Sequence, residues 1–360
     1  MMADDPKDFM MMIVSRVFLF SLGILTIIVA SRRVVQQEKE TVPEKQDVTQ
    51  TLTWYHVITF PIAGSIMLLV LFYFFEYIQL IFSLFSIVMS GMTVYCFVEP
   101  MLEKWNCKSN REYCCSTMEL SGLLSFFIAF ILTLFWVLTN HWLLLDILGV
   151  TIGTFMIQYV RLPSLKLSSI LLVFLLVYDV FWVFISSSIF NANVMVEVAI
   201  KKAKSPVAVV ADTLNMPEVS QAQPFLSLPG KLMVPSSYTE DSYSMLGLGD
   251  IVLPGLLLCL SMRFDQLNIS TTSLKSTRHR HQLLLLCGKW KYFSLSIMGY
   301  IIGLFLAGLM AELADYPQPA LLYLVPCVLL PMTVKALVQG HFRILWHGPF
   351  TENSHSSLPL

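Results

Sequence analysis

The stretch Leu171-Leu172-Val173-Phe174-Leu175-Leu176-Val177-Tyr178-Asp179-Val180-Phe181-Trp182-Val183-Phe184 holds a single carboxylate in otherwise apolar and aromatic sequence. It lies within a run from Leu167 to Phe190, long enough to cross ~30 Å of hydrocarbon as a helix. Asp179 is about eleven or twelve residues from each end, which at 1.5 Å per residue puts it ~16–18 Å deep, near the midplane. No basic residue shares the run. The carboxylate must therefore be neutral, watered, or paired with a group on another helix, and an acid held at such depth marks a functional site by default.

The composition extends this reading to the rest of the chain. Of 360 residues, 56% are hydrophobic, 12% aromatic and 13% charged, with a mean hydropathy of +0.69. Soluble domains carry about 25% charged residues, so a disordered chain, a collagen-like chain and an ordinary cytosolic enzyme are excluded. A net charge of −1 provides no field for nucleic acid. Seven cysteines without a C-x-x-C pair make no disulfide framework.

Nine apolar runs can cross a bilayer: Met10–Ala30, Val57–Phe75, Tyr77–Val98, Leu120–Thr139, Trp142–Val160, Leu167–Phe190, Ser244–Met262, Tyr292–Leu313 and Ala320–Val338. The second and third are separated mainly by Glu76. The chain is expected to be an all-α polytopic membrane protein with nine transmembrane helices. The first run follows Asp4, Asp5 and Asp8 and precedes Arg32 and Arg33, which suits a retained anchor better than a signal peptide with a positive leader. With the N-terminus luminal and the C-terminus cytoplasmic, 17 of the 23 basic residues fall on the cytoplasmic side. Four of the six outside it sit in the longest loop, which orientation weights least.

That loop, Asn191 to Tyr243, carries five prolines and can hold a short hairpin. The sequon Asn268-Ile269-Ser270 is expected in a cytoplasmic loop and hence unused. Cys107, Cys114 and Cys115 are expected there too, as reduced or acylated thiols rather than metal ligands. Arg278-His279-Arg280-His281 reads as a solvated basic run beneath an anionic leaflet. The absence of an internal repeat weighs against transporters built from duplicated halves.

Two further acids fall in spans. Asp146, four residues after Trp142, reads as an interfacial or helix-bonded acid. Asp250 stands in Gly247-Leu248-Gly249-Asp250, only ~9 Å deep if the helix runs from Ser244. The glycines permit an unwound segment, and six extended residues at ~3.3 Å each reach ~20 Å, level with Asp179. Irregular backbone at that depth has to line a wet or protein-buried cavity. Two close carboxylates cannot both ionise cheaply, so such a pair shares a proton at working pH. One then serves as base toward water and the other as acid toward a carbonyl, the chemistry of peptide hydrolysis without a covalent intermediate. Pro317-Gln318-Pro319-Ala320-Leu321, read physically, is a helix start.

At these residues the sequence resembles the intramembrane aspartyl proteases of the presenilin and signal peptide peptidase group. These carry Tyr-Asp, Gly-x-Gly-Asp and Pro-Ala-Leu in successive late helices, here Tyr178-Asp179, Gly247-Leu248-Gly249-Asp250 and Pro319-Ala320-Leu321. The stretches His141–Leu144, Arg161–Lys166, Tyr178–Phe184, Asn193–Val196 and Gln318–Pro326 look like the signal peptide peptidase branch, and Leu226–Leu232 and Pro254–Cys259 look most like its type 3 members. The resemblance implies a nine-span fold of that type with Asp179 and Asp250 as the catalytic pair. Tyr178, Gly247, Leu248, Gly249, Pro319, Ala320 and Leu321 would support them, with no metal and no cofactor. It divides the chain into an N-terminal membrane bundle of four spans (1–139), a catalytic membrane region (140–338) and a cytoplasmic tail (339–360). It further implies single-span type II membrane proteins as substrates, Golgi glycosyltransferases among them, a place in the secretory pathway, and homo-oligomers as an allowed assembly. The tail Ser354–Leu360 lacks a dilysine retrieval signal, and no large luminal domain precedes the spans; both features are expected of the type 3 branch. Signal peptide peptidase proper, an aspartate-dependent proton or cation transporter or leak channel, and an inactive membrane chaperone are the competing readings.

Overall fold

A computed structural model describes residues 6–40, 50–109, 114–190, 194–200, 203–213, 225–236, 242–272, 291–314 and 318–348. The Arg278–His281 run, Pro317, the Ser354–Leu360 tail and the side chains of Cys107, Cys114 and Cys115 lie outside the described residues. In chain order the elements are α1 (Pro6–Glu40), β1 (Gln50–Thr51), α2 (Trp54–Ser109), α3 (Cys114–Thr139), α4 (Trp142–Tyr159), β2 (Val160–Arg161) and α5 (Leu165–Val180). A π-helical turn (Phe181–Ile185) joins α5 to α6 (Ser186–Phe190), and α7 (Val194–Ile200), β3 (Ala203–Lys204), α8 (Pro206–Thr213), β4 (Phe225–Leu226), β5 (Lys231–Pro235) and β6 (Tyr243–Gly247) follow. The chain continues with α9 (Leu248–Thr272), α10 (Tyr292–Leu313), α11 (Leu321–Val338) and α12 (Phe342–His347).

Among the described residues, seven stretches are helical, long and apolar enough to cross a membrane: Met10–Lys39, Trp54–Trp105, Leu120–Thr139, Trp142–Tyr159, Leu165–Phe190, Tyr292–Leu313 and Leu321–Val338. The protein is a multi-pass membrane protein. The two runs expected around Glu76 are present as two helical segments of Trp54–Ser109 that meet at a kink at Phe74 (φ −115°, ψ 18°), two residues before the glutamate. No glycine or proline lies between Gly64 and Gly91 to mark the kink in the sequence. The sequon departs from expectation, since Asn268 to Ser270 continue α9 rather than forming a loop.

Packing divides the chain into two units. The first comprises Met1–Leu22, Val70–Phe155 and Ile200–Leu248. Its core joins Val94, Ala129, Trp136, Val137, Leu145, Leu148 and Leu226. At the α3–α4 corner Asn140 takes the left-handed φ of 48°. Its side chain donates to the Phe225 carbonyl (3.3 Å) and accepts from the Ser227 amide (3.0 Å), fixing β4. The long loop does contain a hairpin: β5 and β6 pair antiparallel from Lys231–Gly247 to Pro235–Tyr243.

Asp146 holds that hairpin and corrects the expectation of an interfacial acid. It is 4% exposed, and its Oδ1 accepts the Met233 amide of β5 at 2.7 Å. One turn along α4, Gly149 leaves room for Leu232, whose Cδ2 would lie 2.7 Å from a Cβ at that position. Sequence distance could not show that a segment 87 residues away folds back onto this face of α4.

The second unit comprises Gly23–Leu69, Met156–Ala199 and Gly249–Leu360. The α5 helix starts at Ser164, whose side chain accepts the Leu167 amide as an N-cap. Glu38 of α1 receives Arg161 (3.4 Å) and Arg263 of α9 (2.6 Å). Farther along α9, Asp265 accepts the amides of Tyr292 (2.9 Å) and Phe293 (2.8 Å) at the start of α10. Lys335, 2% exposed, lies 4.4 Å over the Tyr292 ring, and the Tyr292 hydroxyl meets His341 at 3.2 Å. Burial, and then the Lys335 charge, hold His341 below the ordinary histidine pKa.

Replacing Asp146 by alanine strands the Met233 amide, for which the cost is about 1–3 kcal/mol. Asp146→Ala should lower the thermal midpoint of the detergent-solubilised protein and accelerate hydrogen exchange at Met233. Asp146→Asn keeps an acceptor oxygen and should retain the slow exchange.

Candidate active site

Asp179 sits in the last turn of α5, 6% exposed. Immediately after it the helix widens into the π-helical turn, which the Ser186 amide closes onto the Phe181 carbonyl. Such a turn inserts one residue and redirects the side chains that follow. Trp182 reaches Ser65 of α2 with its indole N–H (3.1 Å), and Tyr178 packs 3.6 Å from where a Cβ on Gly64 would stand. Two neighbouring small residues of α2 thus seat the Tyr178–Trp182 pair flanking Asp179.

The Pro319-Ala320-Leu321 motif is a helix start, as its physics suggests, and this is how it meets Asp179. Leu321 is the first residue of α11, where backbone amides have no intrahelical acceptor. Its N–H donates to Asp179 Oδ2 at 3.3 Å. The amides of Leu322 and Leu324 turn back onto the carbonyls of Pro319 (3.2 Å) and Ala320 (3.2 Å), closing the first turn. A helix N-terminus favours negative charge, so the motif acts through its backbone.

Asp250 occupies the first turn of α9. The extended segment expected before it is present, but it is β6, Tyr243–Gly247, about 16 Å long at 3.3 Å per residue. Gly247 pairs with Lys231, and the Leu248 amide donates to the Gly230 carbonyl at 3.1 Å. Gly249, expected to be unwound, is helical instead, with a Cβ position opening onto empty space. The hairpin therefore supplies the extended chain, and Gly249 leaves volume beside the aspartate. Asp250 is partly exposed, and Asp179 is near enough for its charge to act on it. Tyr300 of α10, fully buried and not anticipated from the sequence, donates its hydroxyl to the Asp250 backbone carbonyl at 3.2 Å. Among the described residues no cluster of three His, Cys, Asp or Glu side chains could hold a metal ion.

Both contacts depend on how α10 meets α11. Pro331 has no amide to give the Cys327 carbonyl four residues earlier. Gly299 of α10 lies against that same carbonyl, and a Cβ there would overlap it. One turn on, a Cβ at Gly303 would fall 3.2 Å from Leu324 Cα and Cys327 Cβ. The helices are in backbone contact.

A sequence profile of the family described as signal peptide peptidase matches residues 44–352. The chain belongs to the signal peptide peptidase family. It is 35% identical to "Signal peptide peptidase-like 1" of Oryza sativa subsp. japonica, over 87% of this chain and 86% of the relative. It is 32% identical to the Arabidopsis thaliana protein of the same name, over 88% and 87%. "Signal peptide peptidase-like 3" of Arabidopsis thaliana is 31% identical over 87% of this chain and 54% of that protein. Of these three relatives, the two matched over more than four-fifths of their length carry the number 1, so these comparisons support the family and not the type 3 branch. As a signal peptide peptidase relative, the protein is an intramembrane aspartic protease.

Gly299→Ala forces a methyl group onto the Cys327 carbonyl, and overpacking of this kind costs about 1–3 kcal/mol. Thermal unfolding in detergent should show a larger loss for Gly299→Ala than for Gly303→Ala, whose neighbours include a side-chain atom able to yield.

Proposed function

We propose that Asp179 and Asp250 are the catalytic pair and that the protein hydrolyses peptide bonds in or near the transmembrane helix of single-span type II membrane proteins. The observation that carries this reading is the setting of Asp179: a buried carboxylate bonded to the amide of Leu321, the last residue of the Pro319-Ala320-Leu321 motif. The ionised carboxylate takes a proton from water as the water oxygen bonds to the scissile carbonyl carbon. The protonated carboxylate gives its proton to the carbonyl oxygen. Collapse of the resulting diol breaks the C–N bond, and the departing nitrogen takes a proton from the dyad. Tyr178, Gly247, Leu248, Gly249, Pro319, Ala320 and Leu321 support the pair, within a catalytic membrane region spanning 140–338.

The topology in this reading has nine spans. The Trp54–Trp105 helix is long enough to cross twice, and α9 adds the ninth to the seven apolar helices. The basic residues favour a luminal N-terminus and a cytoplasmic C-terminus. The stretches resembling the type 3 branch favour Golgi glycosyltransferases as substrates. Cleavage of signal-peptide remnants in the endoplasmic reticulum is the alternative, favoured by the family's description.

Purified protein in liposomes, given a type II glycosyltransferase anchor and a signal-peptide remnant as separate substrates, tests the reading. Asp179→Asn and Asp250→Asn should each lower cleavage by about 10²–10⁴-fold, the scale of general acid–base catalysis. Unchanged cleavage by either variant overturns the dyad, and cleavage of the remnant alone selects the alternative.

A further inference from the structure

Asp250 stands in the first turn of a helix that lacks the amide its carbonyl would normally accept. In an α-helix the carbonyl of residue 250 accepts the amide of residue 254. That residue is Pro254, inside α9, and proline has no N–H. The carbonyl is on the same residue as the proposed catalytic carboxylate, and a backbone acceptor left bare in a buried setting is costly. The Tyr300 hydroxyl reaches this oxygen at 3.2 Å, long for an O–H···O bond. Tyr300 is 0% exposed, so water does not compete for its proton.

The direction of Tyr300 is set by its neighbours in sequence. Gly299 and Gly303 lie on the face of α10 that meets α11 in backbone contact. Successive helix residues are 100° apart at 3.6 per turn, so locking that face also fixes where residue 300 projects. Beyond the proline, Gly255 leaves no space for a Cβ, which would stand 2.7 Å from Ile157 and 3.2 Å from Ile27. The chain on the far side of Pro254 is therefore closely packed.

We infer that Tyr300 is a positioning residue for hydrolysis: its hydroxyl replaces the amide that Pro254 lacks and fixes the backbone of Asp250. It does not touch substrate. The inference rests on the reading of Asp250 as one of the catalytic pair, and it makes Tyr300 and Pro254 a coupled couple of residues. Restoring an amide at position 254 should make the hydroxyl dispensable.

The test is a double-mutant cycle in the full-length protein reconstituted in liposomes, with Tyr300→Phe, Pro254→Ala and the double variant. Cleavage of a transmembrane peptide and thermal unfolding in detergent are both measured. Tyr300→Phe should lower kcat about tenfold with KM within about twofold, a misplacement effect rather than a binding effect. In the Pro254→Ala background the same substitution should change kcat by less than about twofold. An equal loss in both backgrounds, no loss in either, or a rise in KM with kcat intact overturns the inference. If Tyr300→Phe alone fails to fold, recovery of folded protein in the double variant supports it, and failure of both overturns it. Should Asp250→Asn remain active, the dyad reading fails by itself, and the cycle in thermal stability still reports whether the hydroxyl replaces the missing amide.

Discussion

The contact on which the site depends is the backbone approach of α10 to α11. It exists because a proline and a glycine act together: Pro331 frees the Cys327 carbonyl, and Gly299 has no side chain to keep the neighbouring helix away from it. In hydrocarbon, association between helices gains little from apolar burial, so close approach of small residues has to supply it. The α11 helix brings the Leu321 amide to Asp179 with its first residue, and α10 brings Tyr300 to the Asp250 carbonyl from its middle. One interhelical contact thus aligns the partners of two carboxylates on two further helices.

The acids themselves were legible because the cost of charge in lipid is local information. Asp179 in an uninterrupted apolar run and Asp250 after two glycines announce themselves by residue type and depth alone. Read physically, Pro319-Ala320-Leu321 was legible as a helix start, and only the resemblance tied it to the aspartates; what the sequence hid is that the amide of its last residue faces another helix. Asp146 was misread for the same reason, because its partner Met233 reaches it through a hairpin whose strands are distant in sequence from α4. The break expected at Glu76 was legible from a charged residue interrupting the hydropathy profile, and the chain kinks two residues earlier, at Phe74.

One legible signal went unused. Asp250 and Pro254 are four apart, and in any helix starting before Asp250 that spacing leaves its carbonyl without a donor. From sequence alone this says that a donor must come from elsewhere; only the fold says that it is Tyr300.

The charged end of α9 carries a consequence of its own. Asp265 lies fifteen residues beyond Asp250 on one helix, about 22 Å at 1.5 Å per residue. There it is tied to the start of α10, with Lys335 of α11 folded over Tyr292. Both charges are buried, so each has protein groups in place of water around it. The knot therefore ties α9, α10 and α11 together at a point far along α9 from Asp250, and a substitution that loosens it would free three helices at once.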